Sequence, residues 1–344
     1  MKVYVGMSGG VDSSLAAALL VEQGHDVTGV YMKNWTRDLP GMQCPWAQDL
    51  ADAKRVAVGL NIPFKVFDFQ DEYKHLVVDY MIREYSAGRT PNPDIMCNQE
   101  VKFKLFLDAA LADGADMIAT GHYARDQDGH LIKAMDENKD QTYFLYRVTE
   151  AALQKTLFPI GDFPSKTAVR AAAEERHLTT ATKRDSQGIC FVGSVGIREF
   201  LSQFVDTQSG PIIERESNQT IGQHDGAIFY TFGQRHGLNI GGGLPYYVVG
   251  KDMNKNEVCV STNLNDGHFW IDEVRLTDVH WINQLPEIGQ TYQIRVRHRA
   301  PLIDAELVDS ATVKIARPER AIAAGQSIVF YQNDVVLGGG IVCS

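Results

Sequence analysis

The chain has 344 residues, of which 44% are hydrophobic and 22% are charged, and its formal net charge is −10. This balance is typical of a globular protein and excludes disordered and collagen-like chains. No apolar run approaches the ~18 residues of a membrane-spanning helix, and the N-terminal apolar stretch is too short for a secretory signal, so we expect a cytoplasmic protein. The acidic balance argues weakly against nucleic acid as a partner, although residues 165–184 and 291–320 are locally basic.

The cysteines are sparse. They stand at positions 44, 97, 190, 259 and 343, and no two of them form a C-x-x-C pair. This spacing does not support a disulfide framework, a zinc ribbon or a cysteine-ligated iron–sulfur cluster. We therefore assign no metal-ligating cluster and expect any thiol chemistry to come from individual cysteines.

The first 125 residues alternate strand and helix patterns. Apolar runs predict strands at 3–5, 27–32, 64–69 and 116–120. Helical spacing predicts a helix between the first glycine loop and Gly24, and further helices at 50–60, 73–86 and 99–112. Such alternation predicts an α/β fold with a doubly wound parallel sheet, in which ligands bind at the carboxyl ends of the strands.

The pattern changes after about residue 200, where glycines cluster and helical periodicity fades. Short alternating strands are predicted from residue 268 onward, at 292–296, 305–308, 312–316, 327–331 and 335–337. They indicate a small C-terminal β-barrel or sandwich, of which we expect the barrel. The predicted domains are therefore 1–200, a small central domain at 201–267, and 268–344.

A glycine- and serine-rich loop, Ser8-Gly9-Gly10-Val11-Asp12-Ser13-Ser14, separates the first strand from the first helix. Glycines let backbone N–H groups approach an anion, the helix N-terminus adds partial positive charge, and three serine hydroxyls add donors. The loop is neither a Walker A nor a G-x-G-x-x-G motif. The alternative is a tight turn in which Asp12 or Ser13 only caps the helix.

This S-G-G-x-D-S loop resembles the pyrophosphate loop of the N-type ATP pyrophosphatases, which have an adenine nucleotide alpha hydrolase-like sheet. The resemblance implies that the protein uses ATP and Mg²⁺, with Asp12 helping to hold the metal ion. It also implies that Met32 lines the adenine pocket and that Gly121 lies against the nucleotide. The residues that would hold the phosphates are Gly6, Met7, Ser8, Gly9, Gly10, Val11, Asp12 and Ser13.

Cys97 lies in the segment Pro91-Asn92-Pro93-Asp94-Ile95-Met96-Cys97-Asn98. The prolines predict a stiff loop, and Asn98 is a plausible N-cap for a helix that begins at residue 99. A thiol just before a helix N-terminus has its pKa lowered, and Asp94 is a nearby candidate for proton transfer. The alternative is a proline-rich turn with Cys97 as a small buried hydrophobe.

Cys190 lies in Asp185-Ser186-Gln187-Gly188-Ile189-Cys190-Phe191, shortly after Lys183 and Arg184. The two preceding cations favour a thiolate. The alternative is a buried cysteine between two apolar neighbours.

Taken together, P-N-P-D-x-x-C, S-Q-G-I-C-F and S-G-G-V-D-S resemble the tRNA-specific 2-thiouridylase family. Further segments fit the same family, at 121–124, 139–145, 230–235 and 325–340, so the resemblance covers essentially the whole chain. It implies ATP-dependent formation of 2-thiouridine at the wobble position of the tRNAs for Lys, Glu and Gln. ATP would adenylate the uracil O2, and a cysteine persulfide would supply sulfur to C2.

The resemblance also implies residue roles. Cys190 would carry the persulfide, Cys97 would attack it and end in a disulfide with Cys190, and Asp94 would act as general acid or base. Asn92, Pro93 and Asp94 would contact the target base. The remaining tRNA contacts would be His122, Lys139, Asp140, Gln141, Arg297, His298 and Gln326. A cysteine desulfurase or sulfur-relay carrier would be the sulfur-donor partner.

The chain departs from the family around Cys44, which lies in a short segment between Trp35 and Trp46. We interpret this thiol as a bystander, because nothing nearby implies a lowered pKa, and we interpret Cys259 as structural. Two other functions remain open. One is an ammonia-using adenylating synthetase of the same superfamily, and the other is a non-catalytic, nucleotide-regulated RNA-binding protein.

Overall fold

A computed structural model describes residues 1–38, 44–184, 196–241, 245–263, 265 and 269–343. Cys190, with the rest of 185–195, lies outside the described residues. Across the ranges that are described, no helix has the length and apolar character needed to cross a membrane.

The helices lie mostly in the first 200 residues. Two π-helical stretches, Lys74–Val78 and Cys97–Leu105, join α3 to α4 and α5 to α6. Short 3₁₀ turns occupy Thr142–Phe144 and Ala227–Phe229. The α-helices are α1 (Val11–Glu22), α2 (Trp46–Gly59), α3 (Gln70–Tyr73), α4 (Asp79–Ser86), α5 (Pro93–Met96), α6 (Phe106–Ala112), α7 (Glu150–Leu153), α8 (Lys166–Glu175) and α9 (Ile197–Leu201).

The strands form three sheets. In the N-terminal half they are β1 (Lys2–Gly6), β2 (Asp26–Lys33), β3 (Phe64–Asp68), β4 (Met117–Ala119), β5 (Ala124–Gln127), β6 (His130–Lys133) and β7 (Thr156–Leu157). The central strands are β8 (Gly210–Glu214), β9 (Gln219–His224), β10 (Tyr247–Asp252) and β11 (Glu257–Ser261). The C-terminal strands are β12 (Trp270–Trp281), β13 (Thr291–Arg295), β14 (Ile303–Leu307), β15 (Thr312–Arg320), β16 (Ser327–Gln332) and β17 (Val335–Val342).

The first sheet is parallel, in the order β3-β2-β1-β4-β7. Its central strand β1 is buried on both faces by two hydrophobic clusters, which explains the short, continuous apolar run in the sequence. The order reverses between β1 and β4, because β2 lies on one side of β1 and β4 on the other. A crevice for ligands is expected at such a switch point, beyond the carboxyl ends of these two strands. The predicted doubly wound sheet is confirmed.

The C-terminal strands close into a six-stranded barrel in the order β12-β15-β14-β13-β16-β17, with β17 pairing back to β12. Alternating buried and exposed residues along β13 and β14 build its core, so the predicted barrel is confirmed. The hairpin β5–β6 joins the same sheet through Val335 opposite Ile132, so the sheet includes residues from outside 268–344. The central strands form a separate sheet in the order β10-β11-β8-β9.

Candidate functional site

The serine–glycine loop turns sharply from β1 into α1. Gly9 has a φ of +74°, and a Cβ there would lie 2.3 Å from the carbonyl oxygen of Asp49 on α2. Both features require glycine. Gly10 is the N-cap residue, with extended backbone and no side-chain cap. The capping role considered for Asp12 or Ser13 is therefore wrong, and the first turn of α1 keeps N–H groups for an anion.

The serines of this loop hold its shape. The Ser8 N–H donates to Ser13 Oγ over 3.2 Å, and the Ser14 hydroxyl donates to the Gly10 carbonyl over 2.7 Å. Ser13 and Ser14 are buried, whereas Ser8 is exposed. The loop is thus fixed by its own hydroxyls, and Ser8 is the one open to an incoming ligand.

Asp12 is held from two sides. Lys166, the first residue of α8, places its Nζ 2.7 and 2.8 Å from the two carboxylate oxygens. The Tyr123 hydroxyl donates to Asp12 Oδ1 over 2.8 Å. The sequence analysis missed Lys166, because 154 positions separate it from Asp12 and no local pattern links them. The Ser165 cap at the start of α8 signals only that a helix begins there.

Gly121, which follows β4, lies directly against the loop. A Cβ at Gly121 would lie 2.6 Å from the Ser13 backbone nitrogen, so this contact requires glycine. On the other side of the loop, Met32 near the end of β2 lies next to Gly6, where a Cβ would meet its Cε at 3.0 Å. Met32 and Gly121 therefore lie on the two sides of β1, at the carboxyl ends of β2 and β4.

The prediction of a stiff loop around Cys97, followed by a helix that begins at residue 99, is wrong. The helix begins at Pro93, with the Asn92 side chain accepting from the Asp94 N–H over 3.1 Å, and it continues unbroken through the π-helical stretch. Asn98 is therefore inside the helix and is not its cap. The missed signal is an asparagine N-cap followed by proline at the first helical position, a standard helix start.

The environment of Cys97 also differs from the prediction. Its side chain is buried, and this burial raises the pKa of the thiol instead of lowering it. The Lys102 ammonium and a hydrogen bond from Tyr73 oppose that shift by favouring the thiolate. Burial likewise raises the pKa of Asp94, one helical turn before Cys97, so this carboxyl retains a proton more readily than an exposed aspartate.

His122 follows Gly121 and completes this cluster. Its Nε2 lies 3.4 Å from Lys102 Nζ, and its Nδ1 lies 2.8 Å from Thr120 Oγ1. Burial and the Lys102 charge hold the pKa of His122 well below its usual range, so the ring is neutral. Because lysine can only donate, Nε2 accepts and Nδ1 carries the proton.

Contacts and charge interactions together relate the loop to the buried thiol. Ser13 lies against Gly121, the adjacent His122 approaches Lys102, and the Lys102 charge acts on both Asp94 and Cys97. Lys102, which no sequence motif marks, lies on the same helical stretch as Cys97.

Phe144 links the helix that carries Cys97 to His298 of the C-terminal domain. The Asn98 amide donates to the Phe144 carbonyl over 3.1 Å, and the Phe144 ring lies 4.4 Å from the ring of His298. The Thr90 N–H donates to the Ala324 carbonyl over 2.8 Å, next to Gln326. Among the described residues, no hydrogen-bond partner lies near two buried atoms of the predicted contacts, His298 Nδ1 and Gln326 Oε1.

The turn at 139–141 is tied to both halves of the molecule. Asp140 is 2% exposed and bonds Thr142 and, over 3.0 Å, Arg295 of the barrel. Gln141 exchanges two hydrogen bonds with the Tyr123 backbone, of 2.9 and 3.0 Å. The geometry gives Asp140 an internal linking role beneath the surface.

The other predicted residues lie as follows. Arg297 is half-exposed and 3.8 Å from Glu319. Lys139 is partly buried, beside Asp140. Cys44 is buried and its pKa is raised, consistent with a bystander, and Cys259 lies within β11 as a structural residue.

The chain that precedes Cys190 is anchored near the loop. Lys183 lies 2.7 Å from Asp49 and 2.6 Å from Asp52 on α2. Asp49 is the residue whose carbonyl packs on Gly9. After the undescribed segment, Phe200 packs on Trp35, which follows β2.

Three family models match the chain in succession. They are described as a tRNA methyl transferase HUP domain over residues 1–194, a tRNA methyl transferase PRC-barrel domain over 198–262, and an aminomethyltransferase beta-barrel domain over 271–342. The first alone matches more than half of the chain.

Curated relatives match over almost the full length. A protein named tRNA-specific 2-thiouridylase MnmA from Streptococcus sanguinis is 45% identical over 99% of this chain and 95% of its own. One of the same name from Methylobacillus flagellatus is 46% identical over 100% of this chain and 99% of its own. A solved 4-thiouridine synthetase–RNA complex with bound ATP is 17% identical over 59% of this chain and 50% of its own, and its TM-score of 0.39 is too low to carry an argument. The full-length matches show that the chain belongs to the tRNA-specific 2-thiouridylase family.

Proposed function

We propose that this protein thiolates C2 of the wobble uridine in the tRNAs for Lys, Glu and Gln, using ATP and a cysteine persulfide. The observation that carries the proposal is that His122 links the phosphate loop to Lys102, whose charge acts on Asp94 and Cys97. A nucleotide on the loop and a thiol on the helix would act on the same substrate atom. Family membership supplies the substrate class.

The uracil carbonyl is an unreactive amide-type group, so its oxygen must first become a leaving group. In the proposed reaction, O2 attacks the α-phosphorus of ATP and pyrophosphate departs. The N-terminus of α1 and the loop N–H groups would bind the phosphates, and Lys166 would offset the charge that develops on pyrophosphate.

Asp12 is the residue that would hold Mg²⁺. Mg²⁺ is commonly bound by one or two carboxylates together with substrate phosphates. A single carboxylate at the loop fits this mode of coordination. In the parts of the chain that are described, no three His, Cys, Asp or Glu side chains form a metal cage, so the nucleotide would have to complete the site. The ion supplies neutralising charge. Lys166 would leave Asp12 when the nucleotide arrives, because both carboxylate oxygens are engaged in the free protein.

The thiol steps follow the family assignment. The terminal sulfur of the Cys190 persulfide is delivered to C2, and O2 leaves with AMP. Cys97 attacks the persulfide, either releasing hydrosulfide that then adds to C2 or resolving an adduct with the base. Either route leaves a disulfide between Cys97 and Cys190, which a reductant must open before the next turnover. Asp94, whose pKa is raised by burial, supplies or accepts the proton at the base.

Recognition of tRNA would use both domains. Asn92, Pro93 and Asp94 lie at the start of the Cys97 helix, where a base turned out of the anticodon would enter. His122, Lys139, Gln141, Arg297, His298 and Gln326 would contact the anticodon stem and loop, with Asp140 fixing the turn that carries two of them. The half-exposed guanidinium of Arg297 supports this assignment, because it is accessible to a phosphate. The sulfur-donor partner stays a prediction.

The test is reconstitution with Mg-ATP, a persulfide donor and unmodified tRNA(Glu) transcript, followed by thionucleoside analysis. Wild type and Cys259→Ser should form 2-thiouridine, whereas Cys97→Ser and Cys190→Ser should lose it. Cys259 is the matched control because it lies in a strand of the central sheet. Full activity of both Cys97→Ser and Cys190→Ser would contradict the thiol mechanism. Ammonia incorporation without sulfur transfer would favour a synthetase, and RNA binding without AMP formation would favour a non-catalytic protein.

A further inference from the structure

A cavity of about 400 Å³ lies where three parts of the chain meet. Its walls come from the segment just before the Cys97 helix, including Thr90, from the central sheet, including Val248 and Lys251, and from the barrel, including Ile271 and Val342. None of the residues assigned above to the nucleotide, the thiol chemistry or the tRNA lines it. Its volume falls in the range of small-molecule sites.

The walls are mostly apolar, but they carry an excess of positive charge. Lys251 and Arg275 are the cations, and Glu273 is the carboxylate among the lining residues. Glu273 and Arg275 are two positions apart on β12 and share one face of the strand. This combination suits a ligand with an apolar body and an anionic end.

Among the lining residues, Lys251 gives the main evidence that the ligand is an anion. Its Nζ donates to the Tyr230 carbonyl over 2.7 Å, which uses one of its three donors. Burial alone lowers the pKa of Lys251 to about 8, and within the described ranges no carboxylate forms an ion pair with it. A partly buried ammonium without an ion-pair partner is costly, and an anion from solution would offset that cost.

We propose that this cavity binds an amphipathic organic carboxylate, with the carboxylate on Lys251 and the apolar chain against Val248, Ile271 and Val342. The site is independent of the thiolation chemistry. Because its walls come from three parts of the chain, an occupant holds them together and raises the thermal unfolding midpoint of the protein.

The test is isothermal titration of the full-length protein with octanoate, octanol and acetate. Octanoate should bind saturably at one site per chain. Octanol lacks the charge and acetate lacks the apolar chain, so each should bind at least about tenfold more weakly. Failure of octanoate to bind saturably, or equal binding of octanol, would overturn the proposal.

Three variants locate the site. Lys251→Met should weaken octanoate binding at least about tenfold and abolish the rise in unfolding midpoint, whereas Lys251→Arg should retain both. Lys255→Met is the matched control, because Lys255 follows β10 on the same hairpin but its side chain is 68% exposed. The assignment would be contradicted if folded Lys251→Met bound octanoate as well as wild type. It would also be contradicted if Lys255→Met lost as much octanoate affinity as Lys251→Met. Retained thiolation activity in all three variants is expected, which separates this proposal from the proposed function.

Discussion

Lys166 and Asp12 form an ion pair across the phosphate loop, with the lysine Nζ 2.7 and 2.8 Å from the two carboxylate oxygens. The Lys166 side chain is 14% exposed, so the pair is shielded from solvent but remains at the edge of the crevice. Nucleotide phosphates entering the loop would compete with Asp12 for this lysine, just as Mg²⁺ would compete with the lysine for Asp12. The pair therefore keeps both charges compensated in the free protein.

The first prediction concerns Lys166. Lys166→Met should lower kcat/KM for ATP by at least about tenfold, because a charge-assisted hydrogen bond to a phosphate contributes ~1.5–3 kcal/mol. Steady-state AMP formation in the presence of tRNA measures it. Lys54→Met, at an exposed position on α2, is the control and should behave as wild type. An unchanged kcat/KM in Lys166→Met would remove this residue from the nucleotide site.

The second prediction concerns the protonation of Cys97. Burial raises the pKa of the Cys97 thiol above its ordinary value, and the Lys102 charge opposes that rise. Removing the charge in Lys102→Met should therefore raise the pKa of the Cys97 thiol further. At any pH below that pKa, the fraction of thiolate should fall. The measurement is the ultraviolet absorbance of the thiolate across a pH titration, in a background where the other four cysteines are serine.

Lys104→Met controls for this titration, since Lys104 is on the same helix, is 62% exposed and pairs with Glu100. Its effect on the Cys97 titration should be small. A Cys97 pKa that stays constant or falls in Lys102→Met would mean that Lys102 does not act on the thiol.

The third prediction concerns the link between Asp140 and the barrel. Asp140→Asn leaves the buried Arg295 guanidinium without its counter-ion, which should cost ~3–5 kcal/mol of unfolding free energy. Chemical denaturation followed by tryptophan fluorescence measures the change. Asp162→Asn is the control, because that carboxylate is 85% exposed and its pairing with Arg125 should contribute under ~1 kcal/mol. Equal stability of the two variants would contradict the linking role of Asp140.

Much of the fold could be predicted from local patterns. The apolar run of β1, the glycine–serine turn and the helical spacing after it together predict a parallel sheet with a tight turn from the first strand into the first helix, and the structure has both. The alternation in β13 and β14 likewise predicts the barrel. In these segments, local conformational preference and tertiary packing favour the same structure.

The features that the sequence did not predict are of two kinds. Some depend on contacts between residues far apart in the chain, and others on the position at which a helix begins. The segment at Asn92 and Pro93 is predicted as a loop, although asparagine before proline also begins helices. The predicted lowering of the Cys97 pKa relies on the later helix start, and burial of the thiol raises the pKa instead. The pairs Asp12–Lys166 and Asp140–Arg295 join positions 154 and 155 apart, so no periodicity or motif could reveal them.

The central claim is that the uracil oxygen is activated by ATP before sulfur replaces it. Its most direct test is a single-turnover reaction on tRNA(Glu) whose wobble uridine carries oxygen-18 at O2, with mass analysis of the released AMP. If ATP adenylates O2, we expect the label to leave the tRNA and to appear in the phosphate of AMP at the rate at which 2-thiouridine forms. Label that instead appears in water or pyrophosphate while thiolation proceeds would contradict adenylation of O2.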